Sequence, residues 1–360
     1  MRVLHTYSTM ADAVRVAVLG ASGYTGGELV RLLAGHPRVE LTVLGAREQA
    51  GRTLAEVHPH LASGPLAETR LEPLDAEGIA DRAELVLLAL PHGVSASLAP
   101  PLLEAGAGVI DLAGDFRLPA DAYPEWYGFE HPAPAWLERA VYGLPELFRD
   151  EIREARLVAN PGCYPTPVAL GLAPLLRRGL LESGPVLVDG KTGLSGAGRT
   201  ATETTIYAAT QDSVRPYRFP RHQHTPEMER ALVLAGAQPA PSVSFVPHLV
   251  PAVRGVLITC YARAAAGADT EALTGALAEA YAGEPFVRVL EPGAMVDSKR
   301  VRGSNVVELQ AVVDPRTGAA IVAGAIDNLV KGAAGQAIQN LNLMAGFRET
   351  TALPTAGVYP

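Results

Sequence analysis

The sequence predicts two domains, an α/β domain with a doubly wound parallel sheet followed by an α+β domain with a mixed or antiparallel sheet. The chain has 360 residues, which is long for one domain. Its first half alternates short strand patterns with helical patterns, and longer strands dominate after Pro161. We expect the first domain to comprise residues 14–160 and about 327–360, the second to comprise 161–326, and residues 1–13 to form an N-terminal extension.

The first predicted domain opens with the β-branched run at 14–19, which ends at a glycine-rich loop before the helical pattern at 28–33. Further strands are predicted at 39–44, 85–90, 109–112 and 157–159, with a helix at 94–104. Residues 118–145, rich in proline and aromatic side chains, indicate an irregular excursion. Because strands that alternate with helices join through right-handed crossovers, these elements predict a parallel sheet.

The second predicted domain starts with a helix at about 162–178 and continues with longer strands. These strands are predicted at 186–189, 243–246, 253–262, 286–290, 306–313 and 321–326, with a helix near 271–281 among them. A final helix at about 329–344 is assigned to the first domain. The dominance of strands over helices in this half favours a mixed or antiparallel sheet.

Composition and charge exclude several classes of protein. The net charge is −8 and no run of lysine and arginine reaches four, which argues against nucleic-acid binding. No apolar stretch approaches the roughly 18 residues of a membrane span, and residues 1–12 lack the apolar region of a signal peptide. Two cysteines are too few for a disulfide framework. We therefore expect a cytoplasmic protein whose translation starts at Met1 or Met10.

The pattern Gly20-x-x-Gly23-x-x-Gly26 follows a predicted strand and precedes a predicted helix, which is the context that dinucleotide-binding loops require. Glycine permits a tight turn and a close backbone approach, and the helix N-terminus offers unpaired N–H groups to a pyrophosphate. The spacing differs from the common G-x-G-x-x-G, and a glycine-rich turn without a ligand is the alternative. We predict a Rossmann-like cofactor site with contacts from Gly20, Ser22, Gly23, Tyr24, Thr25 and Gly26.

The end of the second predicted strand carries Arg47, where an NAD site usually has an acidic residue that bonds the ribose 2′-OH. A cation at this point favours the 2′-phosphate of NADP(H), which we predict as the cofactor. The alternatives are an Arg47 that faces solvent and a Glu48 that turns inward. Pro91 and His92, which follow the strand predicted at 85–90, are expected to border the nucleotide.

Cys163 is predicted to be a reactive thiol. It lies in the segment NPGCYPTP at 160–167, at the expected start of a helix. Unpaired N–H groups and the positive end of the helix dipole lower a thiol pKa there, and the thiolate is the nucleophile. A small buried cysteine is the alternative. Cys260, inside an apolar strand pattern, fits that alternative, whereas Cys163 is flanked by polar and turn-forming residues.

The segment HQHTPE at 222–227 supplies a base for this thiol. His222, His224 and Glu227 offer two imidazoles and one carboxylate, and spacing does not decide which imidazole faces the cysteine. A metal site would lack a convincing third ligand, so no metal is predicted. The remaining alternative is an ordinary helix start, with Thr225 as the N-cap and Pro226 at the first helical position.

These motifs together resemble the N-acetyl-gamma-glutamyl-phosphate reductase family. The resemblance runs from about residue 14 to the C-terminus and rests on GASGYTGGEL at 20–29, NPGCYPT at 160–166, HQHTPE at 222–227 and DNLVKGAAGQAIQNLN at 327–342. It implies the two-domain architecture of the aspartate-semialdehyde and glyceraldehyde-3-phosphate dehydrogenases, with a second domain of the glyceraldehyde-3-phosphate dehydrogenase C-terminal type. It also implies NADPH as cofactor, a role in arginine biosynthesis, and a homo-oligomer, either a dimer or a tetramer.

The resemblance further implies how a small acyl-phosphate substrate is reduced. The Cys163 thiolate attacks the acyl phosphate and expels inorganic phosphate, and hydride from NADPH reduces the resulting thioacyl enzyme to a semialdehyde. Either His222 or His224 acts as the acid/base. Glu227 is grouped with these catalytic residues, and Asn160 and Tyr164, in the cysteine block, are expected to bind substrate.

Three other places are predicted to bind ligand on less specific signals. Arg117 follows a strand at its C-terminal end and is expected to clamp the substrate phosphate, with a structural ion pair as the alternative. Ser195 and Gly196 belong to a glycine-rich stretch that suits an anion or cofactor contact, or else a flexible turn. Asn328 is expected to reach the nicotinamide, with a helix cap as the alternative.

Three rival functions remain open. Aspartate-semialdehyde dehydrogenase usually has Asn-Cys in its cysteine block, unlike Gly162-Cys163-Tyr164 here. The lysine-pathway reductase of carrier-bound aminoadipyl phosphate has Gly-Cys-Asn, and its acidic carrier calls for a basic surface, which a net charge of −8 does not suggest. A non-catalytic NADP-sensing protein would have a structural Cys163, and slow alkylation near neutral pH would reveal it.

Overall fold

The computed structural model describes residues 13–182 and 184–359 and divides into two compact units. The first unit comprises the chain up to Asn160 together with Ala334–Leu353, and the second comprises Pro161–Ala333 and the chain from Pro354 onward. The predicted extension at 1–13 lies outside the described residues, apart from Ala13. Within those described residues, no helix is both long and apolar enough to cross a membrane.

Six strands form the sheet of the first unit: β1 (Val14–Leu19), β2 (Val39–Gly45), β3 (Leu85–Leu88), β4 (Gly108–Asp111), β5 (Val141–Tyr142) and β6 (Leu157–Ala159). They are hydrogen-bonded in the order β2-β1-β3-β4-β6-β5, and every adjacent pair is parallel. The chain leaves β1 toward β2 on one side and continues with β3 on the other, so a topological switch point lies beside β1. This sheet confirms the predicted doubly wound α/β domain.

Helices join these strands and supply the other half of the core. They are α1 (Tyr24–Leu33), α2 (Leu54–Val57), α3 (Ala76–Ala80), α4 (Val94–Glu104), α5 (Tyr123–Trp126), α6 (Pro134–Leu137) and α7 (Pro145–Glu154). Leu19, Val86 and Val109 of the central strands share one buried apolar cluster with Leu102 and Leu103 of α4. Before α7 begins at Pro145, the predicted irregular excursion at 118–145 contains short elements, namely the 3₁₀ turn Ala120–Ala122, α5, α6 and β5.

Seven strands form the sheet of the second unit: β7 (Val186–Thr192), β8 (Arg215–Pro216), β9 (Val243–Leu249), β10 (Val256–Arg263), β11 (Val287–Val289), β12 (Val307–Asp314) and β13 (Ala319–Ile326). Their order is β11-β12-β13-β10-β7-β9-β8. The β11–β12 and β7–β9 pairs are parallel, and the other neighbours are antiparallel. The mixed sheet confirms the predicted α+β domain.

Burial alternates along the strands of this second sheet, because successive side chains point to opposite faces and helices pack on one of them. The helices of the unit are α8 (Pro165–Arg177), α9 (Tyr207–Thr210), α10 (His224–Leu234) and α11 (Thr270–Ala280), of which α8, α10 and α11 pack on the strands. In β7, Val186 and Val188 are buried, whereas Leu187 between them is 51% exposed. In β10, Cys260 is buried and its neighbour Tyr261 is 41% exposed. One face therefore forms the core, and the other carries exposed apolar side chains.

The chain returns to the first unit through a π-helical turn, Val330–Ala334, which leads into α12 (Gly335–Met344). Every residue of α12 is buried. Gln336 and Asn340 donate hydrogen bonds to the carbonyl oxygen of Gly143, which fixes this last helix to the loop that follows β5.

Several element boundaries differ from the sequence prediction. The predicted strand at 253–262 starts at Val256, because Ala252 and Val253 accept backbone hydrogen bonds from the turn at Leu194 and Ser195 instead. The predicted helix at 162–178 begins at Pro165. The helix predicted at 329–344 starts as the π-helical turn. Residues 327–333, which were predicted in the first domain, belong to the second unit, as do those from 354 onward.

Candidate active site

The glycine loop lies where β1 ends and α1 begins, and two of its glycines have no room for a side chain. Gly20 has φ +92°, and a Cβ at this position would lie 2.1 Å from the carbonyl oxygen of Ala89. A Cβ on Gly26 would lie 2.1 Å from the carbonyl oxygen of Gly20. The loop is therefore folded tightly against the ends of β1 and β3, as a dinucleotide-binding loop requires.

The N-termini of α1 and α4 differ in how they are capped. Gly23 is the N-cap of α1, and as a glycine it supplies no side-chain cap to that helix. At α4, the buried Asp115 carboxylate accepts the backbone N–H groups of Gly93 and Ala96 at 2.8 and 2.9 Å. Because helix N-termini attract anions, α1 fits a pyrophosphate, whereas Asp115 already neutralises the start of α4.

The other predicted cofactor residues of the first unit also follow parallel strands. Arg47 and Glu48 are exposed just beyond the end of β2. Pro91 and His92 are exposed between β3 and α4, and His92 Nδ1 lies 3.7 Å from Asp115 Oδ1. Ser22, Tyr24 and Thr25 lie in the glycine loop and the first turn of α1, and all three are at least partly exposed. All of these residues lie at the carboxyl ends of the strands, the ligand side of an open α/β sheet.

Arg117 and Asn160 lie inside the first unit. Arg117 is 4% exposed, and its guanidinium donates from Nε to the carbonyl oxygen of Asn160 at 2.8 Å and from Nη2 to that of Leu112 at 2.9 Å. Asn160 is fully buried, and its Oδ1 accepts a hydrogen bond from Asn340 Nδ2 at 3.0 Å. These contacts favour a structural role for Arg117 and Asn160 over the predicted contacts with substrate.

Cys163 is half-buried and lies two residues before α8, in a loop whose backbone is held at Gly162. The Gly162 N–H donates to the buried Glu227 Oε1 at 2.7 Å. The Gly162 carbonyl oxygen accepts the N–H and the hydroxyl of Thr166 at 3.2 and 3.0 Å. Tyr164, rather than the cysteine, is the N-cap of α8, so the thiol lies just beyond the positive end of the helix dipole.

The two imidazoles of the histidine segment have different surroundings. His224 is the first residue of α10, and a Cβ on Gly162 would lie 2.5 Å from His224 Nε2, so this ring packs directly on the backbone before Cys163. His222 is 3% exposed, and its Nδ1 accepts the backbone N–H of His224 at 3.1 Å. A ring nitrogen that accepts an N–H carries no proton, so neutral His222 holds its proton on Nε2.

The interpretation of Thr225 as a helix N-cap is wrong. Gln223 occupies the N-cap position of α10, and Thr225 lies inside the first turn. The helix begins two residues earlier than that interpretation required, at His224 instead of Pro226. As a result, His224 and Glu227 lie three residues apart within the first turn of α10, on neighbouring positions of the helix surface.

Aromatic side chains pack around the two imidazoles. The Tyr164 ring centroid lies 4.9 Å from that of Phe245 and 6.2 and 6.1 Å from those of His222 and His224. The Tyr217 hydroxyl donates to the Tyr164 hydroxyl at 3.5 Å. Burial raises the pKa of both tyrosines, so both hydroxyls stay protonated. Sequence reasoning missed Tyr217, since a tyrosine in an irregular loop carries no local signal of a site.

Asn328 and the glycine-rich turn of the second unit are joined to each other. Ser195 and Gly196 belong to the 3₁₀ turn Leu194–Ala197. Asn328 Nδ2 donates to Ser195 Oγ at 2.9 Å, and Asn328 Oδ1 accepts the Gly255 N–H at 2.8 Å. Asn328 is therefore not a helix cap; its amide holds the turn to the loop that precedes β10.

Two family models match the chain. The model described as Semialdehyde dehydrogenase, NAD binding domain, matches residues 15–155, and the model described as Semialdehyde dehydrogenase, dimerisation domain, matches residues 163–328. Solved structures with a similar fold include aspartate semialdehyde dehydrogenase II from Vibrio cholerae, at 19% identity and TM-score 0.72 over 93% of this chain and 99% of that chain. Aspartate semialdehyde dehydrogenase with NADP from Candida albicans is 17% identical, with TM-score 0.68 over 92% of this chain and 98% of that chain.

Curated relatives are far more similar in sequence, and each is named N-acetyl-gamma-glutamyl-phosphate reductase. The protein of Moorella thermoacetica is 48% identical over 96% of this chain and 100% of its own length. The protein of Magnetococcus marinus is 46% identical over 98% of this chain and 100% of its own length. The protein of Thermus thermophilus is 47% identical over 96% of this chain and 100% of its own length. With this similarity over nearly its whole length, the chain belongs to the N-acetyl-gamma-glutamyl-phosphate reductase family.

Proposed function

We propose that this chain uses NADPH to reduce N-acetyl-gamma-glutamyl phosphate to N-acetylglutamate 5-semialdehyde and inorganic phosphate, a cytoplasmic step of arginine biosynthesis. The reaction is the one named in its relatives at 46–48% identity. The observation that carries the proposal is the arrangement around Gly162, where Glu227 binds the backbone at 2.7 Å and His224 packs on the same residue. This arrangement brings an acid/base next to a cysteine, as covalent catalysis requires.

Cys163 is the proposed nucleophile. Its thiolate attacks the carbonyl carbon of the acyl phosphate, a C–S bond forms, and the C–O bond to phosphate breaks with its electron pair leaving on phosphate. The N-terminus of α8 supports the thiolate, because Cys163 lies just before the positive end of the helix dipole. The result is a thioester on Cys163 and free inorganic phosphate.

His224 is the proposed acid/base for the reductive half of the reaction. NADPH, when bound, supplies the hydride that reduces the thioester carbon. His224 donates a proton to the carbonyl oxygen as negative charge develops there, and takes the proton back when the C–S bond breaks. The semialdehyde then leaves, and the sulfur of Cys163 is again a thiolate.

His222 is not suited to this task. To act as a base it would have to accept a proton on Nδ1, and that nitrogen already accepts the N–H of His224 at 3.1 Å. Protonation would therefore break a buried hydrogen bond and place two N–H groups against each other. We propose that His222 fixes the backbone of His224 and stays neutral. Tyr164, whose ring packs on both imidazoles, is assigned a supporting role of the same kind.

NADP(H) is the proposed cofactor of the first unit. The glycine loop and the N-terminus of α1 suit a pyrophosphate, since they lie at the end of β1 and the Gly23 N-cap has no side chain of its own to occupy the helix N–H groups. Arg47, exposed beyond β2, is proposed to bind the 2′-phosphate, because guanidinium–phosphate pairs are strong and directional. Pro91 and His92 are proposed to border the nucleotide, and Ser195, Gly196 and Asn328 remain proposed ligand contacts of the second unit.

A homo-oligomer is proposed for the second unit. One face of its sheet carries Leu187, 51% exposed, and Tyr261, 41% exposed, beside the half-buried Val246 and Leu257. Leu187 and Tyr261 are paired neighbours on this face, which also carries Asp189 and Lys191, and such exposed apolar side chains favour burial against a second copy. The match to a family model described as a dimerisation domain supports the same proposal. Light scattering on the wild type and on L187D/Y261D tests it: a dimer or larger species should become a monomer in the variant.

A substrate panel in the oxidative direction tests the proposed reaction. N-acetylglutamate semialdehyde, aspartate semialdehyde and glyceraldehyde 3-phosphate are each offered with inorganic phosphate and either NADP⁺ or NAD⁺. We expect phosphate-dependent reduction of NADP⁺ with the first aldehyde at kcat/KM at least about 100-fold above the others. A preference for aspartate semialdehyde would mean that the protein is an aspartate-semialdehyde dehydrogenase. No turnover with any of the three aldehydes would favour a non-catalytic role.

A further inference from the structure

Asp327 is a buried carboxylate that directly follows β13 and joins separate segments of the second unit. Its Oδ1 accepts the backbone N–H groups of Leu329 and Val330 at 2.8 and 3.2 Å. Its Oδ2 accepts the Gly303 N–H at 2.7 Å and lies 3.5 Å from the Arg254 guanidinium. Both oxygens are therefore occupied, one by the start of the π-helical turn and the other by two loops.

The π-helical turn Val330–Ala334 is closed onto the same residue. The Gly332 N–H donates to the carbonyl oxygen of Asp327 at 3.0 Å, which is the i→i+5 hydrogen bond that defines such a turn. Single π-helical turns are rare and recur at functional sites. This one is held at its start by the side chain of Asp327 and at its centre by the backbone of Asp327.

Gly332 lies directly against the proposed nucleophile. A Cβ at Gly332 would lie 2.8 Å from the Cβ of Cys163 and 3.2 Å from its Cα. Contacts of that length between carbon atoms are strongly repulsive, so only glycine permits the turn to approach this closely. The position of the turn, and hence of Asp327, therefore limits where Cys163 can lie.

The loop at 299–305, which contacts Asp327 Oδ2 through Gly303, is itself bonded to the C-terminal segment of the chain. Gly303, which donates to Asp327, lies in the loop at 299–305. In that loop the Asn305 N–H donates to the carbonyl oxygen of Pro354 at 2.8 Å, and the Arg302 carbonyl oxygen accepts the Val358 N–H at 2.7 Å. The Asp327 carboxylate thus has a fixed partner on each side.

We propose that Asp327 is a positioning residue for Cys163 and acts through Gly332 and the π-helical turn Val330–Ala334. The proposal rests on the proposed nucleophilic role of Cys163, but not on which aldehyde is the substrate. Thiol reactivity and turnover both depend on where the sulfur lies relative to the N-terminus of α8 and to His224. Asp327 is therefore expected to affect both quantities without contacting substrate.

Two variants perturb opposite ends of this connection. Asp327→Asn removes the charge and can accept hydrogen bonds through only one oxygen, so the Gly303 N–H or the turn loses its partner. Gly332→Ala adds a methyl group that displaces Cys163. We expect each variant to lower kcat at least about tenfold while KM for semialdehyde and NADP⁺ changes less than about threefold. The rate of Cys163 alkylation by iodoacetamide between about pH 6 and 9 should fall at least about fivefold.

Matched controls lie elsewhere in the same unit. Asp269→Asn alters another carboxylate that accepts a backbone N–H, that of Ala272 at 2.8 Å. Gly275→Ala alters another helical glycine, whose Cβ would meet no atom within 4 Å. Both should keep wild-type kcat and alkylation. Cys260 should not contribute to the measured alkylation, because it is 1% exposed and burial raises the pKa of its thiol.

Alkylation needs no substrate, so its result stands even if the substrate panel refutes the proposed reaction. Far-UV circular dichroism and thermal unfolding establish which variants are folded. Wild-type alkylation and kcat in folded D327N or folded G332A would overturn the proposal, as would an equal loss in the two controls. If one of the two variants fails to fold, the other decides by itself, because each perturbs the connection independently.

Discussion

The carboxylate of Glu227 accepts the backbone N–H of Gly162 at 2.7 Å, and both residues are buried. Glu227 lies in the first turn of α10, and Gly162 immediately precedes Cys163. The hydrogen bond therefore joins the histidine segment to the cysteine loop. The sequence placed Glu227 with the catalytic residues, and this geometry favours a positioning role for it.

Substitution of Glu227 distinguishes positioning from proton transfer. Glu227→Gln keeps a side-chain oxygen that can accept the Gly162 N–H, whereas Glu227→Ala leaves that buried N–H without this partner. We expect E227Q to retain kcat within about fivefold and E227A to lose about 100-fold, as steady-state assays in the oxidative direction would measure. Equal and nearly complete loss in both variants would indicate that Glu227 itself transfers a proton.

The two histidines should differ in the severity of their substitutions. His224→Asn removes the proposed acid/base and should lower kcat about 100-fold or more. His222→Asn keeps an oxygen that can accept the His224 N–H, so it should retain activity within about tenfold. The pH profile of kcat provides the second measurement, because H224N should lose an ionisation that H222N keeps. A more severe effect of H222N would exchange the two assignments.

Arg47 should decide the preference between cofactors. Arg47→Ala removes the proposed partner of the 2′-phosphate, so KM for NADP⁺ should rise about 10-fold or more while KM for NAD⁺ stays nearly constant. Arg263→Ala is a suitable control, since Arg263 is an exposed arginine of the second unit that pairs with Glu182 at 3.3 Å. A uniform change for both cofactors in R47A would mean that Arg47 does not bind the 2′-phosphate.

The stability of the first unit should depend on pH through Asp111. Burial, and then the neighbouring Asp115 carboxylate, raise the pKa of Asp111 to about 6. A folded-state pKa above the unfolded value adds stability that is complete at low pH and is lost as pH rises through about 6. The wild type should therefore lose stability relative to Asp111→Asn as pH rises from 4 to 8. In urea unfolding, the difference in the free energy of unfolding between the two proteins should shift by up to about 3 kcal/mol in favour of the variant. A difference that does not change with pH would contradict this.

Features that depend on neighbouring residues were predictable from the sequence. The run Val14–Leu19 is mostly apolar and rich in valine, and the glycines that follow it provide the tight turn before α1. Both signals lie within a few consecutive residues, so the α/β class and the glycine loop could be derived locally.

Features that depend on distant residues were not predictable. The burial of Arg117 follows from a hydrogen bond to Asn160, 43 residues away, and Glu227 meets Gly162 across 65 residues. The choice between His222 and His224 depends on contact with Gly162, which spacing within the histidine segment does not contain. The Asp327 carboxylate binds the start of the π-helical turn and the Gly303 N–H, and a glycine in a helical pattern gives no indication of these contacts.

The covalent state of Cys163 during turnover tests the account most directly. The protein is mixed with N-acetylglutamate semialdehyde and NADP⁺ without phosphate, quenched in acid, digested, and examined by peptide mass spectrometry. The account predicts an N-acetylglutamyl thioester on the peptide that contains Cys163, its release when phosphate is added, and its absence from C163A. An adduct on a different residue, or oxidation of the semialdehyde with no adduct on Cys163, would contradict it.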